Sequence, residues 1–119
     1  MKCFIKKNYL SFQLLKKEHA NKSFQGNIKR KEINSKTLTS VLNDSKFKGK
    51  KIDFLDIDVE GADIDVLESL DFDKYSPELI CVEVIEKNNE ESQIFKFLKK
   101  RTYQKIWSGV FSHVFKRTL

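Results

Sequence analysis

The spacing of hydrophobic positions divides the chain into strands and helices from about residue 35 onward. Ile52, Phe54, Leu55 and Ile57 are interleaved with acidic residues, which predicts a strand over Ile52–Ile57. Ala62, Val66 and Leu70 recur at every fourth position with Leu67 beside them, which predicts a helix over Ala62–Leu70. Leu79 to Ile85 is the most apolar run in the chain. Its continuous hydrophobicity is that of a strand covered on both faces, as in parallel sheets. Ile94, Phe95 and Leu98 place a helix over Glu90–Arg101, whose basic last turn suits the helix dipole. Tyr103–Trp107 and Val110–Lys116, around Ser108-Gly109, read as a closing hairpin.

Before these elements the pattern is weaker. Leu38, Val41 and Leu42 share one face of a short helix that starts behind Ser35-Lys36-Thr37. Ile28–Ile33, interrupted by lysines, is a candidate edge strand. Phe12, Leu14 and Leu15 suggest a short helix through Leu10–His19, and 21–27 reads as loop. Strand, helix, strand, helix and two strands is the grammar of an α/β layer. The 27 positions from Ile52 to Leu79 suffice for a crossover between parallel strands. The expectation is therefore a basic arm over 1–27 and an α/β unit over 28–119. Its sheet is expected to be mostly parallel, closed by an antiparallel hairpin.

Composition narrows the class. The 119 residues suit one domain, and 4 glycines with 1 proline exclude fibrous and linker-dominated chains. No apolar run approaches the ~20 residues needed to span a bilayer, and no secretory signal is visible near Met1. Cys3 and Cys81 form neither a disulfide framework nor a zinc motif, so a reducing, cytoplasmic setting is expected. The net charge of +6 is strongly segregated. Residues 1–50 carry 13 basic and 3 acidic side chains, residues 51–86 carry 2 and 12, and residues 87–119 carry 8 and 2. Lys outnumbers Arg 20 to 3, and without a motif this footprint argues against nucleic acid.

The acidic block carries the chemistry. Ligands of open α/β sheets bind beyond the carboxyl ends of the strands. One predicted strand leads into Asp58 and Glu60, and the next ends near Glu83. Adjacent strands lie ~4.8 Å apart, so these carboxylates can converge on one cleft. Such a cluster can act as a general base or hold a hard cation through oxygen. Against this, Asp58 can serve as a helix cap and Glu60 can complement the helix dipole, and on spacing alone that reading has the edge. Glu83 resists it, because a carboxylate inside an apolar strand needs a partner or a cleft. Asp56 and Asp58 point to one side of their strand, where their repulsion needs solvent or a cation. His19 and His113 have no partner to name, Cys81 reads as inert core, and Tyr103 and Trp107 read as packing residues. No metal site is assigned.

The run from Ile52 through Leu70, with Ile57-Asp58-Val59-Glu60-Gly61-Ala62 at its centre, followed by Pro77 and Leu79-Ile-Cys-Val-Glu-Val, resembles the FkbM family of S-adenosylmethionine-dependent methyltransferases. Thr37-Leu38 resembles the threonine–leucine that precedes this strand in relatives. The likeness extends over roughly 33–119 and is specific around 52–84. Two positions depart from it: Asp56 stands where a lysine is usual, and Asp63 where a glutamate is usual. The resemblance implies a partial Rossmann-like methyltransferase fold and S-adenosylmethionine as cofactor. It further implies methyl transfer to a hydroxyl of a sugar, glycan or small metabolite, with Asp58, Glu60 and Glu83 as catalytic candidates. Relatives hold the cofactor on a glycine turn after an earlier strand. Gly26, Gly49, Gly61 and Gly109 form no such turn, so the cofactor-binding residues are unassigned and the chain reads as the carboxyl-terminal half of the fold.

That leaves three readings: a methyltransferase of this type, a non-catalytic remnant or interaction module, and a basic module that binds an anionic partner through 1–50 and 96–105. A half-fold also leaves one edge of Ile52–Ile57 unpaired. Ile28–Ile33, a partner chain (such as a missing amino-terminal half) or a second copy of the chain is expected to cover it.

Overall fold

The computed structural model describes residues 2–6, 9–13, 35–59, 61–85 and 92–119, the first two stretches as backbone. Six strands form one mixed sheet in the order β1-β2-β3-β4-β6-β5. The strands are β1 (Lys2–Lys6), β2 (Tyr9–Gln13), β3 (Phe54–Ile57), β4 (Leu79–Glu83), β5 (Tyr103–Ser108) and β6 (Ser112–Arg117). Among the described residues three helices accompany them: α1 (Leu38–Asn43), α2 (Asp63–Glu68) and α3 (Gln93–Lys100).

The α/β class stands, but the sheet is not mostly parallel. Only β2–β3 and β3–β4 are parallel; β1–β2, β4–β6 and β6–β5 are antiparallel. Among β3, β4, β6 and β5 a single pair is parallel. The physical reason lies in the connections. A parallel neighbour requires a crossover, as α2 provides between β3 and β4, whereas the closing hairpin inserts β6 between β4 and β5.

The edge of β3 is also filled differently from expectation. Tyr9–Gln13 pairs with it, Leu10 opposite Leu55 and Phe12 opposite Ile57. Residues 10–13 are thus strand and not the start of a helix. Once non-local pairing is available, the weak local period of this segment does not decide its state. The candidate strand Ile28–Ile33, the loop over 21–27 and His19 lie outside the described residues.

Burial alternates along the two central strands. Leu55, Ile57 and Val59 from the β3 line, and Ile80, Val82 and Val84 from the β4 line, are buried on one face. Phe54, Asp56, Asp58, Leu79, Cys81 and Glu83 are half-buried on the other. The continuous apolar run of β4 therefore has one dry face and one partly wet one. Leu38, Leu42, Leu67, Leu70, Phe95 and Leu98 supply helical side chains to the core.

Local signals explain the helix ends. Thr37 caps α1 by accepting from the Ser40 amide at 3.1 Å, and Ser92 caps α3 by accepting from the Phe95 amide at 3.2 Å. The Leu38 amide donates to Ser69 Oγ at 2.9 Å, and the Asp71 amide to Thr39 Oγ1 at 2.7 Å, so α1 is tied to the end of α2. The segment after α2, polar in sequence, carries two core anchors: Tyr75 and Pro77 are both buried. Tyr75 donates to Asn43 Oδ1 at 2.7 Å. At the amino ends of the parallel strands, the Glu78 amide donates to the Ile52 carbonyl at 2.9 Å, and Lys51 Nζ lies 2.8 Å from Glu78.

Candidate functional site

The site is built where the two parallel central strands end. Beyond β3 the chain turns at Gly61, whose φ of +88° lies in the left-handed region that glycine enters without a Cβ clash. The turn delivers Ala62 to the helix N-cap, where no side chain caps the backbone, and it places Asp63 and Asp65 in the first turn of α2. Asp58 is therefore not the cap of this helix. Acidic residues in a first turn suit the positive end of the helix.

Asp63 is the unusual member. It is only 3% exposed, and its Oδ1 has no hydrogen-bond partner. Burial pushes its carboxyl up to about 6, and the neighbouring charge of Glu83 adds to the rise. The backbone amides of Glu83, Asp63 itself and Gly61 oppose it by favouring the charged form. These contacts bring the β3–α2 turn against the last residue of β4.

Glu83 stands at the end of β4, half-buried and opposite Ser112 of β6. It lines a pocket of about 140 Å³ together with Gly61, Asp63 and Ile64, and with Val84, Ile85, Gln93 and Ile94. Asp58 is half-buried just past β3, on the same face as Glu83. Asp58 and Glu83 thus stand on one face at the ends of neighbouring strands, and the charge of each acts on Cys81. Glu60 lies outside the described residues. Asp63 was passed over as a conservative replacement, and only burial distinguishes it from the other acids of its helix.

Cys81 reports on the same face. Burial pushes its thiol up to about 12, aided by the charge and hydrogen bond of Asp56 and by the charges of Glu83 and Asp58. A thiol held protonated is a poor nucleophile, which agrees with an inert role. His113 is buried, with Nδ1 2.9 Å from Ser108 Oγ and its ring edge-on to Phe95. Burial, then the charge of Lys105, lowers its pKa. It is a packed core histidine with a named partner. Tyr103 is a packing residue as read, whereas Trp107 is 56% exposed and lies along the hairpin, its ring within 2.7 Å of where a Cβ on Gly109 would stand.

No group of three His, Cys, Asp or Glu side chains that could hold a metal occurs among the described residues. The described glycines also offer no cradle for a nucleotide-type cofactor. Gly49 lies in the turn before β3, Gly61 shapes the turn before α2, and Gly109 is filled by Trp107. The described residues do not by themselves fit S-adenosylmethionine. No described helix is long and apolar enough to cross a membrane.

The chain is a mixed α/β domain with acidic side chains beyond the ends of its parallel central strands. Comparison with known families makes this specific: the model of the methyltransferase FkbM domain matches residues 4–105. The chain belongs to the FkbM methyltransferase domain family, a family of methyl-transferring domains. No curated protein and no solved structure matches it.

Proposed function

We propose that this chain forms the acceptor side of an S-adenosylmethionine-dependent methyltransferase, acting on a hydroxyl of a sugar or other small metabolite. The observation that carries the reading is the gathering of Asp58, Asp63 and Glu83 beyond β3 and β4 in a chain of this family. Asp58 and Glu83 would orient the acceptor hydroxyl and take up its proton, with Glu60 a further candidate. Support for a partial Rossmann-like layer comes from the parallel β3–β4 pair joined through α2. The cofactor itself would bring an activated methyl group; its holding residues are left to parts of the protein other than those described.

Calorimetric titration of the full chain with S-adenosylmethionine, followed by methyl transfer to a panel of sugars, tests the reading. Saturable binding with Asp58→Asn losing turnover but not fold would support it. The lack of a glycine cradle among the described residues favours a second reading, a non-catalytic interaction module. Absence of cofactor binding at millimolar concentration would favour that module and overturn independent catalysis.

A further inference from the structure

The pocket between α2 and the end of β4 joins two kinds of surface. One end presents the carboxyl-bearing residues Asp63 and Glu83; the walls are Ile64, Val84, Ile85 and Ile94. No Lys, Arg or His is among the described residues that line it. Its volume of about 140 Å³ is close to that of a cavity that takes one benzene-sized molecule. That is room for one head group and a short carbon stem.

Asp63 defines what that head group must be. A buried carboxylate oxygen without a donor is costly, and native proteins usually satisfy such atoms through a protein group, water or ligand. Here Oδ1 has none. The amides of Gly61 and Glu83 still favour the ionised form, and the carboxyl titrates near 6, so above neutral pH it is mostly charged. The charge of Glu83 nearby adds to the local negative potential. A neutral hydroxyl can donate one hydrogen bond, whereas an alkylammonium donates three and carries compensating charge. Beside the two carboxyl-bearing residues the described wall offers one further polar side chain, the neutral amide of Gln93, and no group of three His, Cys, Asp or Glu occurs among the described residues, so a divalent metal is less well served.

We infer that this pocket binds the protonated amino group of a small aliphatic amine, held by Asp63 and Glu83 with its carbon stem against Ile64, Ile85 and Ile94. Joined to the proposed function, on which this extension to substrate class rests, the acceptor is an amino sugar or amino alcohol. The ammonium anchors beside Asp63 while a neighbouring hydroxyl faces the methyl donor. Asp63 is then a positioning residue, and its ligand can be tested without any methyl transfer.

The test uses the full chain and ethylammonium chloride, with ethanol as a neutral isostere and sodium chloride as ionic control. Amide NMR shifts are followed to about 100 mM, the range a three-atom ligand needs. Saturable shifts at Gly61, Ile64, Ile85 and Ile94 with ethylammonium alone, weakened about tenfold or more in Asp63→Asn, are expected for a lost charge-assisted contact. Should Asp63→Asn not fold, Ile85→Lys keeps Asp63 in place, sets a tethered ammonium at the pocket rim, and is expected to abolish the shifts. Equal response to ethanol, shifts indifferent to both substitutions, or displacement of ethylammonium by low-millimolar magnesium would each overturn the inference. S-adenosylmethionine binding measured in parallel separates the outcomes: its loss sinks the methyltransferase reading and leaves the amine pocket standing, and the reverse holds equally.

Discussion

The phenol of Tyr103 donates a 2.6 Å hydrogen bond to the carbonyl of Pro77 inside the core. It joins the first residue of β5 to the segment that feeds β4, across 26 positions of sequence. Burial pushes the phenol up to about 12, with Arg117 opposing, so it stays a donor across the working pH range. Tyr103→Phe keeps the edge-on contact with Phe72 and strands the Pro77 carbonyl. A loss of about 1–3 kcal/mol is expected, read as a lower urea midpoint at unchanged slope.

Thr102 stands just past α3 with φ +64°, the position where glycine is favoured. A β-branched residue held there costs about 1–2 kcal/mol. Its carbonyl accepts from both the amide and the hydroxyl of Thr118, at 2.8 and 2.7 Å, which keeps the bend in place. Thr102→Gly preserves those acceptors and relieves the strain. A gain of up to about 1 kcal/mol is expected by thermal unfolding, and a clear loss of stability would show that the side chain matters more than the bend.

Asp63 makes stability fall as pH rises. Its folded-state pKa of about 6 exceeds the ordinary aspartate value of 3.8, so the folded chain binds the proton more tightly than the unfolded one. Below about 4 both states are protonated and no penalty exists; between 4 and 6 the penalty grows to its full size of about 3 kcal/mol at most. His113 acts in the opposite sense. Its lowered pKa removes stability as pH falls through and below 6.5. The difference between wild type and Asp63→Asn isolates the first effect, and that difference should widen from pH 4 to 6.

Cys81 should resist alkylation. A thiol pushed up to about 12 holds about a thousandfold less thiolate at pH 8 than one at the ordinary value of 9. Iodoacetamide labelling at Cys81, followed by peptide mass spectrometry, is expected to be slow in the folded chain and fast in urea. Comparable rates in both would mean that the half-buried face of β4 opens readily.

Much of the fold was legible because local chemistry and tertiary structure agree. Thr37 and the Leu38, Val41, Leu42 stripe placed α1, and Phe54–Ile57, Leu79–Glu83 and Tyr103–Arg117 contain the strands read from apolar patterning. The arm was misread at 10–13 because its pairing partner, β3, lies over forty residues away. Polar sequence hid Tyr75 and Pro77, whose burial depends on α1 and β5 packing around them.

The site divides in the same way. Asp58 and Glu83 follow from period and strand ends alone, since alternation and strand direction are local properties. Asp63 does not: among the acids of 51–86 its sequence setting is ordinary, and only burial where the turn after Gly61 meets the end of β4 raises its carboxyl, against the pull of the Glu83 amide. Sequence by itself determined the family, the central strands and the sign of the cleft. Tertiary structure decided which strand covers β3, how far the sheet is parallel, and which carboxyl is desolvated, because burial and non-local pairing exist only once distant segments meet.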